Sequence, residues 1–278
     1  MSETSGLLTE ELSIKYEQLK QYIQGLGSVA VAFSGGVDST FLLKTAHEVL
    51  GEHAIALTVK ASFVPDRELQ EAKAFCKEEG IRHLIAEVDA SEIEGFAQNP
   101  KNRCYFCKKA LFQNMLTIAK EYQIADVVEG SNVDDLGDYR PGLMAIAELG
   151  IKSPLKEVGL TKEEIRILSK KEGLRTWDKP SYACLASRFV YGETITSEKL
   201  AMVEMAEQLL IEMGFVQMRV RVHGTMARIE VLPEDMERFL APEIREEVCA
   251  KLKAYGFSYV TLDLMGYRMG SMNEVLNG

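Results

Sequence analysis

The chain has 278 residues, 46% of them hydrophobic, with 42 acidic against 32 basic side chains and a formal net charge of -10. That length and apolar content suffice for a large core, arranged as one big domain or as a nucleotide-type domain with a smaller partner. The charge opposes docking to a nucleic-acid backbone, no apolar run reaches the ~20 residues of a membrane helix, and the polar start Met1-Ser2-Glu3-Thr4-Ser5 lacks a signal-peptide layout, so a cytoplasmic protein with neither nucleic-acid nor membrane partner is expected.

In chain order, an amphipathic segment at about 8–23 precedes the short β-branched run Val29-Ala30-Val31-Ala32-Phe33, which predicts a buried strand. After Ser34-Gly35-Gly36, the apolar positions Phe41, Leu42, Thr45, Ala46 and Val49 recur at helical spacing until Gly51, and 54–59 supplies a second strand. The pattern repeats as a helix over 66–79, a strand over 83–88, a helix over 105–121 and a strand over 126–129. Strands alternating with helices predict an α/β domain, a parallel sheet flanked by helices with ligands at the carboxyl ends of its strands. The character changes near Pro180. Strand-like runs at 218–222, 227–231 and 259–262, mixed with helical patterns at 197–213 and 243–255, predict a smaller α+β domain. The expected division is 1–180 and 181–278, with the second part serving substrate binding or oligomerisation.

The stretch Ser34-Gly35-Gly36-Val37-Asp38-Ser39 joins the first strand to a helix, where backbone N–H groups and the positive end of a helix dipole meet. Phosphate oxygens suit that place. Gly35 and Gly36 allow close approach, and the hydroxyls of Ser34, Ser39 and Thr40 add donors. The lysine that closes a Walker A loop has no counterpart, which argues against transfer of a terminal phosphate. Asp38 would repel phosphate directly, so its expected job is to hold Mg²⁺ or to fix the loop. An ordinary Gly-rich turn is the plain alternative.

This hexapeptide resembles the signature Ser-Gly-Gly-x-Asp-Ser of the PP-loop family, the N-type ATP pyrophosphatases of the adenine nucleotide alpha-hydrolase-like fold. The resemblance implies ATP cleaved to AMP and pyrophosphate, with an adenylated substrate. Further stretches, Asp138-Tyr139-Arg140-Pro141-Gly142, Ser187-Arg188-Phe189 with Tyr191-Gly192, Arg219-Val220-Arg221-Val222-His223 and Tyr259-Val260-Thr261-Leu262-Asp263, are similar to those of the LarE family over residues 25–273. That likeness implies an enzyme, a sulfur transferase making the nickel-pincer nucleotide of lactate racemase. Its small-molecule substrate is a pyridinium-3,5-biscarboxylate mononucleotide, whose carboxylates are adenylated and become thiocarboxylates. It also implies a homo-oligomer. Ser187, Arg188, Arg219 and Arg221 are then the substrate-binding candidates, the arginines offering forked donors to its phosphate, with Arg228 on a neighbouring strand. Solvated arginines in surface ion pairs are the plain alternative. Arg140 is expected to reach the ATP phosphates or steady the loop. His223 can contact the same anion or simply be exposed. Glu207 and Asp263 match acidic positions near the substrate side, where they would hold metal, or are solvated charges.

Cys104 and Cys107 form Cys-Tyr-Phe-Cys at a helix start, a place that favours thiolates, with Arg103, Lys108 and Lys109 adding positive charge; Cys184 stands in Ala-Cys-Leu-Ala-Ser-Arg. Meeting in one cleft, Cys104, Cys107 and Cys184 match three ligands of a four-iron four-sulfur cluster with one iron left for a sulfide, as in the three-cysteine LarE type. Sacrifice of the Cys184 sulfur, a Cys104–Cys107 redox pair and a zinc site are the alternatives, zinc lacking a nearby histidine. Cys76 and Cys249 lie in apolar helical stripes and read as buried hydrophobes. A tRNA thiolase of the same loop family, an amidating synthetase and a non-catalytic ATP-binding regulator are the competing functions. The first wants a basic RNA surface, and the second an ammonia source that nothing in the remaining length resembles.

Overall fold

The computed structural model describes residues 9–137, 141–180, 183–268 and 270–271. It divides into two compact units, one of Met1–Ile93 with Cys104–Tyr182, the other of Glu94–Arg103 with Ala183–Gly278.

The first unit runs α1 (Glu10–Leu26), β1 (Val29–Ala32), α2 (Val37–Leu50), β2 (Ala54–Lys60), α3 (Asp66–Glu79), β3 (His83–Glu87), α4 (Arg103–Glu121, whose first residue is counted with the second unit), β4 (Asp126–Val128), α5 (Pro141–Glu148), α6 (Pro154–Glu157) and α7 (Lys162–Lys171). Its four strands are all parallel in the order β3-β2-β1-β4. In β2 the residues Ala54 to Val59 are all buried, as expected where both faces of a strand are covered. On one face Val29 and Val31 meet Leu19 and Ile23 of α1, Phe41 and Leu42 of α2, and Ile165 and Leu168 of α7. On the other, Ala30, Ile55 and Leu57 meet Phe112 and Met115 of α4 and Ile146 of α5. Period-two alternation along β1 thus feeds two cores, and each fully buried branched side chain contributes about 1.5–3 kcal/mol. β1 lies at the centre of the sheet, so the loop leaving its carboxyl end is held from both sides.

The second unit comprises α8 (Ser197–Glu212), β5 (Met218–His223), β6 (Met226–Val231), α9 (Met236–Phe239), α10 (Pro242–Ala254) and β7 (Tyr259–Leu262). β5 and β6 form an antiparallel hairpin and β7 joins β6 in parallel. Met218, Val220, Val222, Ala227, Ile229 and Val231 are buried, as are Leu200 and Val203 of α8 and Val248 and Leu252 of α10. The alternate positions of the same strands carry Arg219, Arg221, Arg228 and Glu230, paired Arg219 to Glu230 and Arg221 to Arg228 across the hairpin. The excursion Glu94–Arg103 is tied into this unit: the amide of buried Asn99 donates to the Val190 carbonyl at 2.7 Å, and the Gly192 N–H to the Asn99 carbonyl at 2.8 Å. Among the described residues no helix is long and apolar enough to cross a membrane.

Candidate functional site

Past the carboxyl end of β1 the chain turns through Ser34-Gly35-Gly36 into α2. Gly35 has φ +69°, a left-handed conformation that costs other residues about 1–2 kcal/mol. Gly36 precedes α2 without a side-chain cap, and the first-turn N–H groups lack intrahelical acceptors, which makes this end a ready anion site. The loop is braced from within: the Ser34 and Ser39 hydroxyls are 3.0 Å apart, and Ser39 Oγ reaches the Gly36 carbonyl at 3.3 Å. A Cβ on Gly130, just beyond β4, would lie 3.0 Å from the Ser39 amide nitrogen, so only glycine lets that chain pass so close.

A cavity of ≈ 120 Å³ opens here, lined by Ser34, Gly36, Val37, Asp38, Glu68, Lys162, Lys179 and Pro180. Of the sequence-derived loop residues, Ser34, Gly36 and Asp38 face it; Gly35 and Ser39 shape the turn, while Thr40 is 1% exposed with its hydroxyl turned inward. Arg140 lies outside the described residues.

The two lysines were not singled out by sequence. Lys162 donates to Asp38, and Lys179 donates to the Gly35 carbonyl at 2.9 Å and to Glu71 at 2.6 Å. They supply the positive charge that a Walker lysine would bring, from the far end of the unit's sequence. Each is placed by an identifiable device. Lys162 is the first residue of α7, set by the capping box between Thr161 and Glu164 and by its own N–H donating to Asp134 at 2.7 Å. Arg166, one turn later, donates to the carbonyls of Trp177 at 2.6 Å and Lys179 at 3.0 Å, which fixes the turns that carry Lys179. Asn132 completes a ring, donating to Asp38 at 3.4 Å and accepting from the Asp134 N–H at 2.9 Å. A hard carboxylate in the wall of a phosphate-sized cavity fits a magnesium ion that takes its remaining ligands from phosphate and water. Among the described residues no three His, Cys, Asp or Glu side chains form an all-protein metal site.

None of the five cysteines is in a disulfide. Cys104, half-buried, and Cys107, buried, lie in the first turn of α4 within the first unit; Cys184, half-buried, belongs to the second. The chain passes between the units at 93/94, 103/104 and 182/183, and the last two of these lie next to or one residue from a cysteine. Within the second unit, buried Arg103 donates to the Ala186 carbonyl at 2.8 Å and to Asn99 at 2.5 Å. The residue before Cys104 is therefore bound two residues after Cys184. Burial pushes the Cys76 thiol up to about 12, which makes it an inert core residue.

The arginines of the second unit are largely interior. Arg188 is 1% exposed; its Nε and one Nη donate to the two Glu207 oxygens at 2.9 and 2.7 Å, and the other Nη to the carbonyls of Ala183 at 2.5 Å and Cys184 at 3.1 Å and to Ser187 Oγ at 2.9 Å. Arg221 donates to Glu230 and Ser271, each at 2.9 Å, and to the Ser187 carbonyl at 3.1 Å. Arg228 bridges Glu230 at 3.1 Å and Asp263 at 2.5 Å. Arg219 stacks over Tyr267 with 5.2 Å to the ring centre. With Arg268 near Asp263, the guanidiniums of Arg188, Arg219, Arg221, Arg228 and Arg268 gather around the carboxylates of Glu207, Glu230 and Asp263 among the described residues. Burial and then the Arg188 charge push Arg219 below its usual value. Among the described residues, the Nε groups of Arg221 and Arg228 and Nε2 of His223 are buried without a hydrogen-bond partner.

Residues 11–130 match the family model described as NAD synthase. An uncharacterized protein of Synechocystis sp. is 43% identical over 266 residues, 95% of this chain and 99% of that one. The pyridinium-3,5-bisthiocarboxylic acid mononucleotide synthase of Lactiplantibacillus plantarum is 36% identical over 95% of this chain and 96% of its own. An uncharacterized protein of Methanocaldococcus jannaschii is 29% identical over 86% of this chain and 90% of its own. The family match falls on the parallel sheet with its loop, and the likeness to the plantarum synthase extends through both units at a level that marks common descent. The chain belongs to the LarE family of PP-loop proteins.

Proposed function

We propose that the protein is an ATP-dependent sulfur transferase that adenylates the carboxylates of a pyridinium-3,5-biscarboxylate mononucleotide and converts them to thiocarboxylates. The observation that carries the reading is the cavity at the amino end of α2, which joins a helix terminus, two lysines and two carboxylates without a Walker lysine. A carboxylate oxygen of the substrate attacks the α-phosphorus of ATP, and pyrophosphate leaves into the charge field of Lys162 and Lys179. The product is an acyl adenylate. Its leaving group is AMP in place of oxide, so a sulfur nucleophile can displace it. Asp38 would hold Mg²⁺ on the phosphates, and the ion's chemistry there is to offset their charge.

The gathering of Arg219, Arg221 and Arg228 on two paired strands supports a place for the substrate phosphate in the second unit, and the activity named for the plantarum relative supports the substrate class. Sulfur is delivered through the cysteines, by one of two routes. Cys184 can attack the acyl carbon and then lose its Cα proton, so that its Cβ–S bond breaks, leaving dehydroalanine and a thiocarboxylate. A cluster on Cys104, Cys107 and Cys184 would instead keep one iron open for an added sulfide. Assembly as a homo-oligomer is part of the same reading.

The test supplies ATP, Mg²⁺ and the carboxylated mononucleotide to anaerobically purified protein. AMP and pyrophosphate should appear only with the mononucleotide present, and Asp38→Ala should lower their rate by about 100-fold or more. Formation of ADP sinks the proposal. Iron and acid-labile sulfide with an unchanged protein mass favour the cluster; loss of about 34 Da at Cys184 favours sacrifice.

A further inference from the structure

We propose that Lys162 is a stand-in cation for the loop: its ammonium pairs with the Asp38 carboxylate, and it trades that place for the incoming phosphates when a divalent cation arrives with the nucleotide. The inference rests on the reading of the cavity as an ATP site. Three observations support it. Lys162 and Asp38 are in direct contact, yet both are partly open to solvent, at 31% and 22% exposure, so the pair can be exchanged. The base of the lysine is fixed, and its tip is held through the contact with Asp38 alone among the described ion pairs. The Thr161–Glu164 capping box and the bond from the Lys162 N–H to Asp134 lock the backbone at the start of α7, leaving the four-carbon stem as the moving part. Finally, both possible partners of the ammonium lie in one cavity: Asp38 on its wall, and the amino end of α2 where phosphate oxygens would sit.

A carboxylate at the mouth of a phosphate site faces opposite demands in its two states. With the site empty it needs a cation; with a metal–polyphosphate bound it must release that cation to make room for the metal, because two positive charges on one carboxylate oxygen repel. Transfer of the ammonium to the phosphates satisfies both. Every charge then stays paired before and after binding, and Asn132 keeps Asp38 in place during the exchange through its bond at 3.4 Å. A bare divalent ion meets a competitor on Asp38, whereas an ion carried by ATP brings the acceptor that draws the competitor away. The lysine therefore makes metal binding conditional on nucleotide.

The test uses the full chain without nucleotide and counts free Mn²⁺ by electron paramagnetic resonance, Mn²⁺ taking the place of Mg²⁺. Lys162→Met should bind Mn²⁺ about tenfold more tightly than the unaltered protein, since the competing charge is gone. Lys162→Arg keeps the charge and should bind it as weakly as the unaltered protein. Adding Asp38→Asn to Lys162→Met should abolish the gain. Calorimetry with Mg²⁺ and ATP should show the opposite order, weaker nucleotide binding by Lys162→Met. Lys162→Gln repeats the comparison if the methionine variant does not fold. Unchanged or weaker Mn²⁺ binding by the uncharged variants overturns the exchange while leaving the ATP site standing. Absence of ATP binding by the unaltered protein overturns the site itself.

Discussion

Arg188 carries the sharpest contrast between a charge read along a strand of text and the same charge in three dimensions. It was expected to hold substrate phosphate, and in this structure it sits 1% exposed in a bidentate pair with Glu207 while bonding the carbonyls on either side of the Cys184 peptide unit. Removing one partner of such a buried pair leaves the other uncompensated, a loss of about 3–5 kcal/mol. Arg188→Met should therefore lower the stability of the second unit in chemical denaturation by that order, and Glu207→Gln by a similar amount, because it leaves the Arg188 guanidinium buried without its counter-charge. A variant of full stability that loses only mononucleotide affinity would argue for a purely ligand-binding arginine. The acid limb is a second readout. Burial alone would raise the Glu207 carboxyl, but the Arg188 guanidinium beside it holds it below the usual carboxylate range. Its contribution is thus complete above the unfolded value of about 4.5 and is lost as pH falls through the lower folded value. Glu207→Gln should flatten that part of the pH–stability curve. The loop hexapeptide was readable in advance because its chemistry is local: glycine, hydroxyl and helix start are neighbours in the chain. The burial of Arg188, Arg219 and Arg221 was not, because an arginine at alternate strand positions looks the same in sequence whether water or Glu230 stands opposite.

At the level of elements, α7 is the piece on which the cavity beside the loop depends most and which the reading of the sequence passed over. Its signal was present. Thr161-x-x-Glu164 is a capping box, and Ile165 and Leu168 follow at helical spacing toward the core. The run lacks a motif of its own and is rich in Lys and Glu, so its role emerges only when the parallel sheet brings it beside the loop. The sheet itself was legible, since parallel strands buried on both faces appear as short continuous apolar runs between glycines. The excursion Glu94–Arg103 was not, because it forms no periodic element and is held by Asn99 and Arg103 to carbonyls about 90 residues away. Arg166 gives α7 a testable function. Its planar fork spans the Trp177 and Lys179 carbonyls at 2.6 and 3.0 Å, a geometry that a lysine's single ammonium does not reproduce. Arg166→Ala should raise the KM for ATP by about tenfold, the worth of one or two charge-assisted hydrogen bonds, while kcat falls less, and Arg166→Lys should recover only part of it. Trp177 is the only tryptophan in the chain, so its emission reports on this run alone. A red shift in Arg166→Ala without nucleotide is the signature of a released segment; an unchanged spectrum with normal KM would remove Arg166 from the site.

The whole molecule adds a constraint that no single element contains. Its net charge is -10, and several of its cations are spent internally: Arg103, Arg188, Arg219 and Arg221 are buried, and Lys162 and Lys179 are paired within the nucleotide cavity. A net charge of -10 opposes a large polyanion, whereas a small anion that enters the second unit would meet this group of arginines. Each phosphate a protein neutralises on a nucleic acid contributes through counterion release, and an acidic chain gains less from that term at physiological salt. Bulk tRNA at 150 mM salt should accordingly neither be retained by the protein nor raise pyrophosphate release, while the carboxylated mononucleotide does so in the same buffer. Release stimulated by tRNA, with an affinity of about 10⁻⁶ M or tighter that weakens steeply with added salt, would place the acceptor among RNA bases and transfer the adenylation chemistry from a carboxylate to a ring carbonyl.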